Sequence, residues 1–111
     1  MGNEIKDKIH VIDKIVREFL DKQLGEHPSS ISSFLNEEII SVYAGEVVSP
    51  AESKMMETKT DSKFLVEFKN QQFASVKEEL KQQLETEIKQ KISKIHSSVT
   101  EDGLRIINIC L

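Results

Sequence analysis

The segment from Ser62 to about Gln90 contains neither proline nor glycine, and no other feature of the chain constrains its fold as strongly. Glu85/Lys89 and Glu87/Lys91 stand four apart with the acid first, the orientation that better supports a helix. The spacing predicts one long helix. At about 1.5 Å per residue it reaches about 42 Å, whereas a compact domain of this chain length has a diameter of roughly 34 Å. The helix should overhang its own body. Its apolar residues also drift. Phe64, Leu65 and Phe68 point one way, and Phe73, Val76, Leu80, Leu84 and Ile88 are rotated from them by roughly 100°. Two surfaces must receive them: the chain's own sheet, and, as the simplest candidate for the second, another copy of the protein. Phe64, Leu65, Phe68, Phe73, Val76 and Leu80 are thus the candidate self-association or partner surface.

The rest of the chain supplies that sheet. From Asn3 to Leu24 apolar residues recur every three or four positions, so an amphipathic helix is predicted, stopped by Gly25 and Pro28. Beyond Gly25–Ser30 the period changes to two. Ile31–Leu35 and Glu38–Val48 read as strands joined at Asn36-Glu37, with Ile40, Val42 and Ala44 on one face and Ile39, Ser41, Tyr43 and Gly45 on the other. Ser49-Pro50-Ala51-Glu52 matches a capping box with proline at the first helical position, which predicts a short helix to about Glu57. The polar string Thr58–Ser62 should break the chain, with Thr60 or Asp61 capping the long helix. Ser93–Val99 and Leu104–Leu111 form a second ribbon turned at Asp102-Gly103. The last strand is apolar on both faces, so it should be central or covered by a partner, and its end implies burial of the final residues or continuation beyond Leu111. The resulting expectation is a single α+β domain over residues 1–111. It has two layers in the order α-β-β-α-α-β-β, with an antiparallel four-stranded sheet under the helices.

Several functions are excluded by composition. A net charge of −4, with Lys and Arg interleaved among Asp and Glu, leaves no basic stripe for phosphates, and five Phe, one Tyr and no Trp leave little surface for stacking on bases. Nucleic acid is not an expected partner. No apolar run approaches the roughly 20 residues of a membrane span, so direct insertion is not expected. The single Cys110 and the polar N-terminus make the cytoplasm the expected compartment.

No catalytic constellation forms. His10, His27 and His96 fall on helix, loop and strand without metal-ligand spacing, and Cys110 alternates with Ile and Leu like a small hydrophobe. Glu37-Glu38 and Glu78-Glu79 read as solvated charges. No phosphate-binding glycine motif is present, so neither cofactor nor metal is expected.

In order and spacing the whole chain resembles the MpsC-like family, small bacterial proteins named for a Na+-translocating, membrane-potential-generating system. The resemblance is carried by Gly25-Glu26-His27-Pro28 after the first helix, by "IISVYAGEVVSPAE", by the long Glu/Lys-rich helix and by the closing "SSVTEDGLRIINICL". Val48-Ser49-Pro50-Ala51-Glu52 is its sharpest element. In that family the loop before the first strand often reads Gly-Arg-Gly-Pro, so Glu26 and His27 here weaken an anion-binding role. The resemblance implies a non-enzymatic accessory to membrane sodium or inorganic-carbon transport, docking on a membrane protein partner, and it transfers no catalytic residue. The alternative is a small sensing module that holds an anion or metabolite between sheet and helices near His27, Ser29, Tyr43 and Ser49.

Overall fold

The computed structural model describes the backbone of residues 2–111 and the side chains of residues 5–111. Its elements are α1 (Gly2–Asp7), α2 (Ile9–Leu24), β1 (Ser30–Asn36), β2 (Ile39–Gly45), α3 (Pro50–Met55), α4 (Lys59–Ile88), β3 (Lys94–Val99) and β4 (Arg105–Cys110). The strands form one antiparallel sheet in the order β1-β2-β4-β3. The helices lie on one side of it, as the α+β two-layer expectation required. β4 is central, and its last residue pairs with Ile39 and Lys94, which accounts for an apolar strand at the end of the sequence.

The alternation that marks β2 as a strand also assigns its faces. Ile40, Val42 and Ala44 are fully buried under the helices with Ile107 and Ile109 of β4, and Ile12, Val16, Leu20, Phe73, Leu80 and Leu84 close over them. Phe19 and Phe73 meet edge to face at 5.9 Å between ring centroids. Core packing therefore fills the space between sheet and helices.

The predicted first helix is broken at one residue. Lys8 has φ −101° and ψ 5°, and its N–H bonds back to the Ile5 carbonyl in a tight turn. Its ammonium group donates to the Glu87 carbonyl, so the break places a cation on the last turn of α4, where carbonyls lack helical partners. Two other boundaries move. β2 ends at Gly45 rather than Val48, because Glu46 adopts φ 55° and turns Val47 toward the helix side, where its N–H donates to the Gly103 carbonyl. α4 begins at Lys59, capped by the Thr58 hydroxyl, which accepts from the Asp61 N–H at 3.2 Å; neither Thr60 nor Asp61 is the cap.

α4 is 30 residues long and unbroken, so it reaches about 45 Å at the usual rise. It runs along the longest dimension of a body measuring 45 × 25 × 23 Å. The predicted partition of its faces is corrected. Leu65 joins Phe73, Leu80, Leu84 and Ile88 in one buried stripe, with Val76 partly buried beside it, so these residues of the expected self-association surface belong to the chain's own core. Only Phe64, at 65% exposure, and Phe68, at 47%, remain for a partner. At 100° per residue they lie roughly 150° round the helix from the centre of that stripe.

Candidate functional site

The strand-helix junction at Val47–Glu52 covers a buried charge cluster. α2 ends at Gly25 in the left-handed conformation (φ 65°), where a side chain is rarely accommodated, and this turn folds Glu26 back beneath the layer. Glu26 is 2% exposed, Lys69 of α4 3% and Arg105 of β4 0%. The Arg105 guanidinium grips the Glu26 carboxylate with two bonds, Nε to Oε1 at 2.8 Å and Nη2 to Oε2 at 2.7 Å, while Nη1 donates to the Ser97 hydroxyl at 2.7 Å. Lys69 Nζ donates to Glu26 Oε2 at 3.1 Å and to the Val47 carbonyl at 3.3 Å, and lies 3.4 Å from Glu52 Oε2. The Phe73 ring lies 5.4 Å from the guanidinium carbon and adds a cation-π contact.

The same Glu52 closes the capping box of α3. Its Oε1 accepts from the Ser49 N–H at 2.8 Å, and the Ser49 hydroxyl accepts from the Glu52 N–H at 3.1 Å. One carboxylate therefore fastens the helix start to the buried lysine. Two acids and two bases balance each other, and among the described residues no buried side-chain nitrogen or oxygen lacks a hydrogen-bond partner. The cluster joins the α2 exit, α3, α4 and β4. Its groups are bound to one another, and only Glu52, 28% exposed, reaches the surface cleft described next.

Of the residues expected to form an anion or ligand loop, two come together and two do not. His27 and Ser49 line a cleft of about 240 Å³ with Gly25, Glu46, Val47, Val48, Pro50 and Glu52, smaller than the usual range for small-molecule pockets. The His27 imidazole is exposed and lies 3.2 Å from Asp21 Oδ1, and the Ser49 hydroxyl serves the capping box. Ser29 sits at the strand edge, its N–H bonded to the Gly45 carbonyl. Tyr43 lies on the far side of the sheet, stacked edge to face on Phe34 at 5.8 Å between ring centroids. The placement between sheet and helices is thus corrected for Tyr43, since it points away from that layer.

Among the described residues no element covers that far side of the sheet. Phe34 (59% exposed), Ile39 (43%) and Tyr43 (37%) lie on it beside half-buried Ile106 and Cys110. At one end it dips into a depression of about 490 Å³ lined by Asn36, Glu37, Ile39, Ser41, Lys94, His96, Asn108 and Cys110. Among the described residues no helix is long and apolar enough to cross a membrane, and no group of three or more His, Cys, Asp or Glu side chains is placed to hold a metal ion.

The family model for MpsC, the Na+-translocating membrane potential-generating system, matches residues 5–111. The chain belongs to the MpsC family. No curated protein and no solved structure matches it. In this MpsC chain the family match runs through every strand and through the whole of α4, and it includes the charge cluster. The cluster itself was missed in the sequence. Its signals were present: Lys69 stands four residues from both Leu65 and Phe73 on the buried stripe, and Arg105 alternates with Ile107 and Ile109 on the covered face of β4.

Proposed function

We propose that this MpsC chain is a non-enzymatic accessory protein of the cytoplasm, a homodimer that docks on the membrane components of a sodium or inorganic-carbon transport system. The observation that carries this reading is the exposure of large apolar side chains in two separate patches, Phe34, Ile39 and Tyr43 on the bare sheet face and Phe64 and Phe68 on α4. Beyond the Phe34–Tyr43 ring contact, exposed aromatic rings add little to the stability of a small domain with its own core, whereas a component of an assembly uses them at contacts. The self-neutralised cluster of Glu26, Lys69, Arg105 and Glu52 supports binding over catalysis, because its charged groups are already committed. The family name supplies the membrane system.

The test is affinity capture of the intact chain from detergent-solubilised membranes, with the bound proteins identified by mass spectrometry. Recovery of membrane subunits of an ion-translocating system is the expected result. Recovery of soluble proteins alone would overturn the transport reading.

A further inference from the structure

We propose that the bare sheet face docks on the same face of a second copy of this chain, with the two-fold axis parallel to the strands. The inference deepens the homodimer reading above and rests on it. The register of the sheet lays out this face in rungs. Asn36, Ile39, Cys110 and Lys94 form the first, Phe34, Ser41, Asn108 and His96 the second, and Ser32, Tyr43, Ile106 and Ser98 the third. Apolar residues occupy the two central strands and polar residues most of the edges, the arrangement of an interface core and its rim. In the middle of the face the Ser41 hydroxyl donates to Asn108 Oδ1 at 2.9 Å, so contact there would bury a hydroxyl that already has a partner.

Charge selects both the occupant and the axis. Lys94 on β3 and Glu37, next to Asn36 in the β1-β2 turn, flank the same end of the face at opposite edges, and neither has an ion-pair partner among the described residues. Two sheets packed face to face can be related by a two-fold axis along the strands or across them. An axis across the strands puts β3 over β3 and moves Lys94 to the end away from the partner's Glu37. An axis along the strands puts β3 over β1 and keeps the ends together. Lys94 then meets the partner's Glu37, twice per dimer. The same operation sets Tyr43 over the partner's Ile106, Ile39 over the partner's Cys110 and His96 over the partner's Phe34. The face is complementary to itself in charge at that end.

Its size sets the strength. Four strands at about 4.8 Å spacing and roughly 20 Å in length give contact of about 770 Å² over both copies, below the roughly 1,200 Å² of a stable specific interface and in the range of weak, transient contacts. The dimer should be concentration-dependent. The Phe64/Phe68 stripe offers only two rings on one helix and stays free for a different partner.

Light scattering across a micromolar concentration series tests the proposal. The wild-type chain should approach twice its 12.7 kDa mass, and Tyr43→Glu should remain monomeric with an unchanged circular dichroism spectrum. Phe64→Glu/Phe68→Glu should dimerise like wild type. Lys94→Glu should weaken self-association about tenfold by placing like charges at both corners, and Lys94→Glu/Glu37→Lys should restore it. A dimer that persists in Tyr43→Glu and is lost in Phe64→Glu/Phe68→Glu overturns the sheet face while leaving the homodimer reading intact. Failure of the double charge reversal to restore binding overturns the axis. A wild-type chain that is monomeric throughout overturns both the face and the homodimer.

Discussion

Replacing Glu26 with glutamine removes the anion that Arg105 and Lys69 share and keeps the side chain's size. The wild-type carboxylate accepts from Arg105 Nε and Nη2 and from Lys69 Nζ at 2.7–3.1 Å. After substitution two buried cations face each other with only Glu52 nearby, and it reaches Lys69 alone. Removing one partner from a buried ion pair costs about 3–5 kcal/mol. An unfolding entropy of about 2.1 cal/mol/K per residue over this chain converts each kcal/mol to roughly 4 °C, so Tm should fall by roughly 13–21 °C. Thermal melts followed by circular dichroism measure this at one fixed protein concentration, because dimerisation also raises Tm. The apolar control Glu26→Met/Lys69→Met/Arg105→Met removes every charge of the trio, and its stability should return to within about 2 kcal/mol of wild type. If Glu26→Gln melts within about 3 °C of wild type, the cluster is not the pin described above.

Other substitutions probe separate parts of the account. Leu80→Ala, at a fully buried position where α4 meets the sheet layer, should lower stability by about 2–5 kcal/mol in a denaturant titration. Gly103→Ala should destabilise by about 1–3 kcal/mol in the same assay, because φ is +82° there and a Cβ would lie 2.9 Å from Val48 Cγ2. Phe64→Asp/Phe68→Asp should leave stability within about 0.5 kcal/mol while abolishing capture of the membrane partner, read by comparing melts with captured subunits.

Where a local signal and the tertiary structure agree, the sequence was readable. The capping box at Ser49-Pro50-Ala51-Glu52 depends only on neighbouring residues and formed as expected, and the alternation of β2 separated Ile40, Val42 and Ala44 from Ile39 and Tyr43 correctly. The unbroken α4 followed from the lack of proline and glycine. Periodicity was less informative about which apolar residues of α4 face home. Leu65 is adjacent to Phe64 in sequence but 100° away round the helix, and only the position of the body shows that the buried stripe passes through one and not the other. The charge cluster lay beyond local reasoning for a similar cause. Glu26 and Arg105 are 79 residues apart, and a lysine within an apolar stripe reads as a solvated charge until its partner is located. Tyr43 stands apart from the ligand loop because it alternates outward, opposite the apolar face of Ile40, Val42 and Ala44 that the helices cover.

Docking through a protein partner, without insertion into lipid, is the claim on which the functional account depends. Co-sedimentation of the purified chain tests it most directly, using native membrane vesicles washed of peripheral proteins, the same vesicles after protease shaving, and protein-free liposomes of the same lipids. Binding to the first and loss of binding to the other two is the expected result. Equal binding to bare liposomes, or no binding to the washed native vesicles, would contradict it.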